Sequence, residues 1–247
     1  MNLLLVDAAD ETLTLAAADP RAKHIRDILG MKVGDRFDAG AVNGPRGKAL
    51  IASDDAQGMT LTFEWGAAPR QPMKLSLVAG LSRPQTMRKI LRVAPELGIT
   101  AIHVVRCQRS EPGYADSSLW TGTEWRDLLK QGAEQAFSTW IPTVSHHANL
   151  EDTLDSFPGP READLLALDN YEATLPLAGW KPSVDDAPVV LCIGPERGWD
   201  GLERAVFRNR GYKLAHLGPR VLRTETAVVA GVSLVAAALG EWAGMKD

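Results

Sequence analysis

Two glycine-bearing turns near the C-terminus constrain this chain most. Gly194-Pro195-Glu196-Arg197-Gly198-Trp199 follows the apolar run Val189–Ile193, and the stretch from Leu217-Gly218-Pro219-Arg220 to Thr226-Ala227 follows a second run at 212–217. Each leads into a helical pattern. An apolar run, a glycine turn and a helix, repeated, is the grammar of a parallel sheet covered by helices. In such sheets the loops at the carboxyl ends of neighbouring strands form a ligand crevice.

The same alternation begins near Met73. It predicts strands at 74–79, 101–105, 165–168, 189–193 and 212–217, and helices at 84–97, 123–137, 203–210 and 224–239. The last helix is so rich in Val, Ala and Leu that it should be covered on several sides, a second subunit being one cover. Residues 149–186 are acidic and carry Pro158, Pro160, Pro176 and Pro182, so their outer parts should be surface loops. The first 70 residues read differently. Short strands at 3–6, 36–39, 49–52 and 59–63 are separated by turn residues, notably Asn43-Gly44-Pro45-Arg46-Gly47. One helix, 20–29, has Pro20 in its first turn and Gly30 at its end. That pattern fits a small β-barrel with a capping helix. A boundary at 66–72 divides the chain into 1–70 and 71–247.

Composition removes several alternatives. No run approaches the roughly 20 apolar residues of a membrane span, and residues 1–7 are too short and lack the basic leader of a signal peptide. Cys107 and Cys192 alone support neither a disulfide framework nor a zinc site; they are expected to be small buried apolar groups. A cytoplasmic protein is the plain expectation. The net charge of −4, from 27 Lys and Arg against 31 Asp and Glu, is concentrated. Residues 146–186 hold 2 of those bases and 9 of those acids, so the remainder is slightly basic and open to a phosphate-binding face.

The glycine turns do not have the G-x-G-x-x-G spacing of dinucleotide-binding folds, and the chain has no P-loop, G-x-S-x-G elbow or H-E-x-x-H helix. Thr224 is expected to cap the last helix and Glu225 to complement its dipole. Arg223, a cation beside the positive end of that helix, calls for an anionic partner, either a carboxylate such as Glu196 or a substrate phosphate. His103 and His216 fall in strands and are expected to be structural, whereas His146-His147 falls in a loop without an evident partner.

The motif pair Gly194–Trp199 and Leu217–Ala227 resembles that of the RsmE family, the 16S ribosomal RNA uridine-N3 methyltransferases of the SPOUT superfamily. His24, Ile28-Leu29, Lys32-Val33-Gly34-Asp35, Glu96-Leu97-Gly98, Arg109-Ser110 and Glu134-Gln135 stand at family-like positions, so the resemblance spans most of the chain. Departures are Arg197 for the usual second glycine, Trp199 for phenylalanine and Gly30 for an arginine, with Arg26 one turn earlier. Ala136-Phe137-Ser138 replaces the usual small residue, Gly and Arg.

The resemblance implies a PUA-like RNA-binding barrel followed by an α/β SPOUT domain with a C-terminal trefoil knot. It implies S-adenosyl-L-methionine held by the end of the 165–169 segment and the two glycine turns, through Leu168, Ile193, Gly194, Pro195, Gly198, Leu217, Gly218, Leu222, Thr224 and Ala227. Arg223, Glu196 and Glu225 are the implied catalytic groups, and His24, Arg26, Lys32 and Arg109 the implied RNA contacts. The implied partners are 16S ribosomal RNA or the small ribosomal subunit and a second copy of the chain, with no metal and no membrane. Two alternatives stay open: a non-catalytic RNA-binding assembly factor of the same fold, and a SPOUT methyltransferase acting on another RNA position.

Overall fold

The computed structural model describes residues 3–69, 71–183 and 186–243. It divides into two compact units, residues 1–71 with 133–141, and 72–132 with 142–247. The linear boundary predicted from sequence does not contain the 133–141 segment, which groups with the first unit.

The first unit is a five-stranded mixed sheet in the order β1-β3-β4-β5-β2. Its strands are β1 (Leu4–Val6), β2 (Thr12–Ala16), β3 (Arg36–Ala41), β4 (Arg46–Asp54) and β5 (Gly58–Trp65). β1 runs parallel to β3 and the other pairs are antiparallel. Alternation puts Leu15, Ile51, Met59 and Leu61 on a buried face with Leu4, Val6 and Ile25. The 133–141 segment joins this unit through Glu134, whose carboxylate accepts the Leu5 amide at 3.2 Å, and through Ala133, packed with Leu3 and Leu5. The predicted 20–29 helix is a single α turn, α1 (Pro20–Lys23), that widens into a π turn at His24–Ile28.

The second unit is a seven-stranded sheet, parallel throughout. Its strands are β6 (Leu75–Gly80), β7 (Ala101–Val105), β8 (Thr143–His147), β9 (Asp164–Leu168), β10 (Leu175–Pro176), β11 (Val189–Ile193) and β12 (Lys213–His216), in the order β10-β12-β9-β11-β6-β7-β8. Every residue of β9 and β11 is buried, as strands covered on both faces require. The helices are α2 (Pro84–Glu96), α3 (Ser118–Thr121), α4 (Glu124–Gln135), α5 (Leu150–Asp155), α6 (Gly201–Asn209) and α7 (Thr224–Ala238). α7 buries Val228, Gly231, Val232, Val235 and Ala236, one face at helical spacing. A Cβ at Gly231 would lie 3.1 Å from Leu168 and 3.3 Å from Leu191. Glycine there lets α7 rest against β9 and β11.

Among the described residues no helix is long and apolar enough to cross a membrane. Cys107 and Cys192 are both buried free thiols, as expected.

Candidate functional site

The strand order reverses at β6 and β11. The loops leaving the carboxyl ends of β9, β11 and β12 converge there on a groove of about 600 Å³, open mouth included. Leu168, Ile193, Leu217, Leu222 and Ala227 give it apolar walls, and Gly194, Pro195, Glu196, Gly198 and Thr224 line it as the glycine turns predict. Asp169, Asn170, Tyr171, Trp199, Ala215 and Val221 line it too. Of these, Asn170 and Tyr171 extend the 165–169 segment by two residues, and an apolar strand ending in Leu-Asp-Asn-Tyr was the available signal. Gly198 and Gly218 sit at φ +65° and +100°, so both turns need residues that tolerate left-handed backbone. The Nδ1 of His216 accepts the Gly218 amide at 3.1 Å and fixes the second turn.

One buried guanidinium joins two of the loops. Arg204 donates to Asp169 Oδ1 and to the Trp199 carbonyl, both at 2.8 Å, and lies 4.8 Å from the Tyr171 ring centroid. The second oxygen of Asp169 accepts the Tyr171 and Glu172 amides at 2.9 and 2.6 Å. Two charges with side-chain exposures of 7% and 2% are tolerable only because they are paired and otherwise hydrogen-bonded. Trp199, fully buried against Phe207, donates its indole N–H to the Leu168 carbonyl at 2.9 Å. That bond gives the departure from phenylalanine a physical role: it ties the β11 loop to the end of β9.

The start of α7 differs from the sequence reading. Arg223, not Thr224, is the N-cap; no side chain caps the helix, and Thr224 is buried in its first turn. Arg223 is exposed and makes no hydrogen bond or ion pair among the described residues. Glu196, one of its two expected partners, is committed elsewhere. Its Oε1 accepts the Arg83 amide at 3.0 Å and the Thr86 hydroxyl at 2.8 Å, capping α2, while Oε2 is free of hydrogen bonds among the described residues. Glu225 pairs with Lys89 of α2 at 2.7 Å, and that bond holds its carboxyl below the usual carboxylate range, with the Arg223 charge adding a smaller pull.

The expected RNA contacts fall in both units. In the first unit, Arg26 is bound through two nitrogens to Asp54 at 2.9 and 2.5 Å, His24 buries an Nε2 with no hydrogen-bond partner among the described residues, and Lys32 is exposed. In the second, Arg109 donates to the Arg197 carbonyl at 2.8 Å. Arg197 has no positive φ, so a side chain is accommodated where glycine is usual, and it is exposed. His146 and His147 do not lie in a loop: they end β8, where His147 Nε2 is 3.1 Å from His103 Nδ1 and Ser145 Oγ bridges both rings. Among the described residues no cluster of three or more His, Cys, Asp or Glu could hold a metal ion.

A parallel α/β unit with a groove walled by glycine turns at its strand ends defines a class, and the comparisons agree on which. Residues 69–236 match the RNA methyltransferase domain family. The chain is 30% identical to ribosomal RNA small subunit methyltransferase E of Treponema pallidum, covering 98% of this chain and 93% of that protein. It is 26% identical to the Synechocystis protein of the same name, over 93% and 74% of the two chains. The fold matches a crystal structure of the Neisseria gonorrhoeae methyltransferase E bound to S-adenosyl methionine with a TM-score of 0.79, at 22% identity over 96% and 97% of the chains. A Legionella pneumophila methyltransferase solved with the same cofactor gives a TM-score of 0.80 at 21% identity over 96% and 97%. The chain belongs to the ribosomal RNA small subunit methyltransferase E family.

Proposed function

We propose that the protein transfers a methyl group from S-adenosylmethionine to N3 of a uridine in 16S ribosomal RNA of the small ribosomal subunit. The observation that carries this reading is Arg223: an exposed cation, unpaired among the described residues, between two residues of the groove wall, Leu222 and Thr224.

The residues present suit the cofactor. The apolar walls fit an adenine ring, Asn170 and Thr224 offer polar groups for the amino-acid end, and the β11 turn is a tight cradle in which a Cβ at Gly194 would meet the Gly198-Trp199 backbone at 3.2 Å. S-adenosylmethionine supplies an electrophilic methyl on a positively charged sulfur. For N3 to attack it, the weakly acidic N3–H must leave, and negative charge spreads onto the two uracil oxygens. Arg223 stabilises that charge with its fan of N–H donors. Glu196 accepts the proton on Oε2, because Oε1 is occupied with α2. Glu225, ion-paired with Lys89 and held low, is the poorer acceptor; it fixes α7 to α2 beside Arg223.

In this reading residues 1–70 are the PUA-like RNA-binding domain and 71–247 the SPOUT domain, with the segment through the β12 loop threaded as a trefoil knot. His24, Lys32 and Arg109 serve the RNA, Arg26 doing so only when it leaves Asp54. The protein works in the cytoplasm as a homodimer, and exposed Val221 and Val229 support a second copy against the start of α7. The test is a map of modified nucleosides in 16S ribosomal RNA from a deletion strain. One N3-methyluridine should vanish, return with the wild-type gene and stay absent with Arg223→Ala. An unchanged map overturns the reading; a subunit-assembly defect without any lost methyl group favours the non-catalytic alternative.

A further inference from the structure

Phe137 is held where few side chains belong. α4 ends in a turn whose Ser138 amide returns to the Ala133 carbonyl at 3.0 Å, and Phe137 occupies its left-handed position at φ +57°. Glycine is the usual residue at that point of a helix end because a Cβ is disfavoured there. A bulky aromatic in this conformation is uncommon, and such residues cluster at functional sites. Its ring is not spent on the core, since Phe137 is 38% exposed.

Phe137 lines a second groove, wholly within the first unit, of about 1190 Å³ with its open mouth. Arg36, Arg46 and Lys48 line it, with Asp38, Glu64, Trp65 and the 66–69 segment. Strand register places Arg36, Asp38, Arg46, Lys48 and Glu64 on the face of β3, β4 and β5 opposite the core. Arg36 pairs with Glu64 at 3.3 Å and Lys48 with Asp38 at 2.7 Å, all exposed. Such pairs are weak and exchange readily for another anion. Among the described residues Arg46 has no carboxylate partner; it donates to the Phe137 carbonyl at 3.2 Å.

We propose that this groove holds a single-stranded segment of the RNA substrate, with one base stacked on Phe137 and backbone phosphates on Arg46, Arg36 and Lys48. Single-strand sites combine a cationic track with aromatic faces in this way. The proposal rests on the methyltransferase reading for the identity of the partner and extends it to a surface remote in sequence from the glycine turns.

The test uses the full-length protein and a uridine-rich single-stranded RNA of about 12 nucleotides carrying one 2-aminopurine. Phe137→Gly should keep or raise thermal stability while weakening RNA binding about tenfold, the loss of one stacked base. Phe137→Trp should restore both affinity and quenching of 2-aminopurine. Arg46→Gln should lower the salt dependence of binding by about 0.7 in log–log slope, one phosphate contact. Unchanged affinity and salt slope in all variants overturn the proposal, as a protein-binding groove would give. Failure of the methyltransferase reading looks different: no N3-methyluridine forms in the wild type, whatever Phe137→Gly does to RNA binding.

Discussion

The two sides of the cofactor groove are built on opposite principles. On the β9 and β11 side, polar groups are buried and satisfied: Asp169 and Arg204 are paired, the Trp199 indole is bonded, and loop carbonyls are engaged. On the β12 and α7 side, Arg223 and Arg220 are exposed without a partner among the described residues, and the exposed Arg197 side chain points to the same need on the β11 turn. A rigid wall suits a cofactor that is the same in every turnover, and solvated cations suit a polyanion that must arrive and leave. The contrast teaches that burial here marks what holds the groove open, whereas the exposed cations are the groups we propose for the substrate.

The sharpest way to break this contrast is Asp169→Asn. It strips the buried Arg204 guanidinium of its nearer counter-charge and leaves the more exposed Glu172 at 3.6 Å, a change worth up to about 3–5 kcal/mol, so thermal denaturation should show the largest loss of stability among groove substitutions. A near-neutral result would mean that the locked side is not locked. Arg223→Ala should do the reverse: stability unchanged, kcat down about 10²–10³ in transfer of labelled methyl to small subunits. Arg197→Gly sharpens the comparison at low amplitude. KM for RNA should rise a few-fold, with kcat held and a shallower salt dependence, since one phosphate contact is removed.

The far edge of the sheet gives a control unrelated to either wall. Burial, and secondarily His147, pushes the His103 imidazole down to about 4 from an ordinary 6.5. The fold therefore favours neutral His103. The resulting stability is complete above pH about 6.5 and is lost as pH falls from there toward 4, because the unfolded chain protonates first. Acid-induced loss of thermal stability across that window should diminish in His103→Gln. Acid sensitivity unchanged by this substitution would assign the titration to another group.

Much of this was legible in the chain. β7 and β11 were delimited to the residue because both are short, apolar and bounded by breakers. The groove wall was legible because glycine turns after such strands have few other uses. What escaped was short or polar. β8, Thr143–His147, is an edge strand with one aliphatic residue, and α5 is only six residues long, half of them acidic. β2, Thr-Leu-Thr-Leu-Ala, did carry a period of two that was open to reading. The pairing of Glu196 with α2, of Arg26 with Asp54 and of Arg204 with Asp169 joins residues 28 to 113 positions apart. No local pattern encodes such pairs. The position of Arg223 as cap escaped because Thr224 satisfies the composition of a cap one residue later.

The central claim is that the apolar walls of the groove serve the cofactor and its exposed cations serve the substrate. Calorimetric titration of S-adenosylmethionine into the wild type, Arg223→Ala and Ala227→Phe tests it most directly. Binding to the wild type, nearly equal binding to Arg223→Ala and loss of binding when Phe fills the wall at position 227 are the predicted results. Absence of binding to the wild type, or its loss in Arg223→Ala with Ala227→Phe unaffected, would contradict the account.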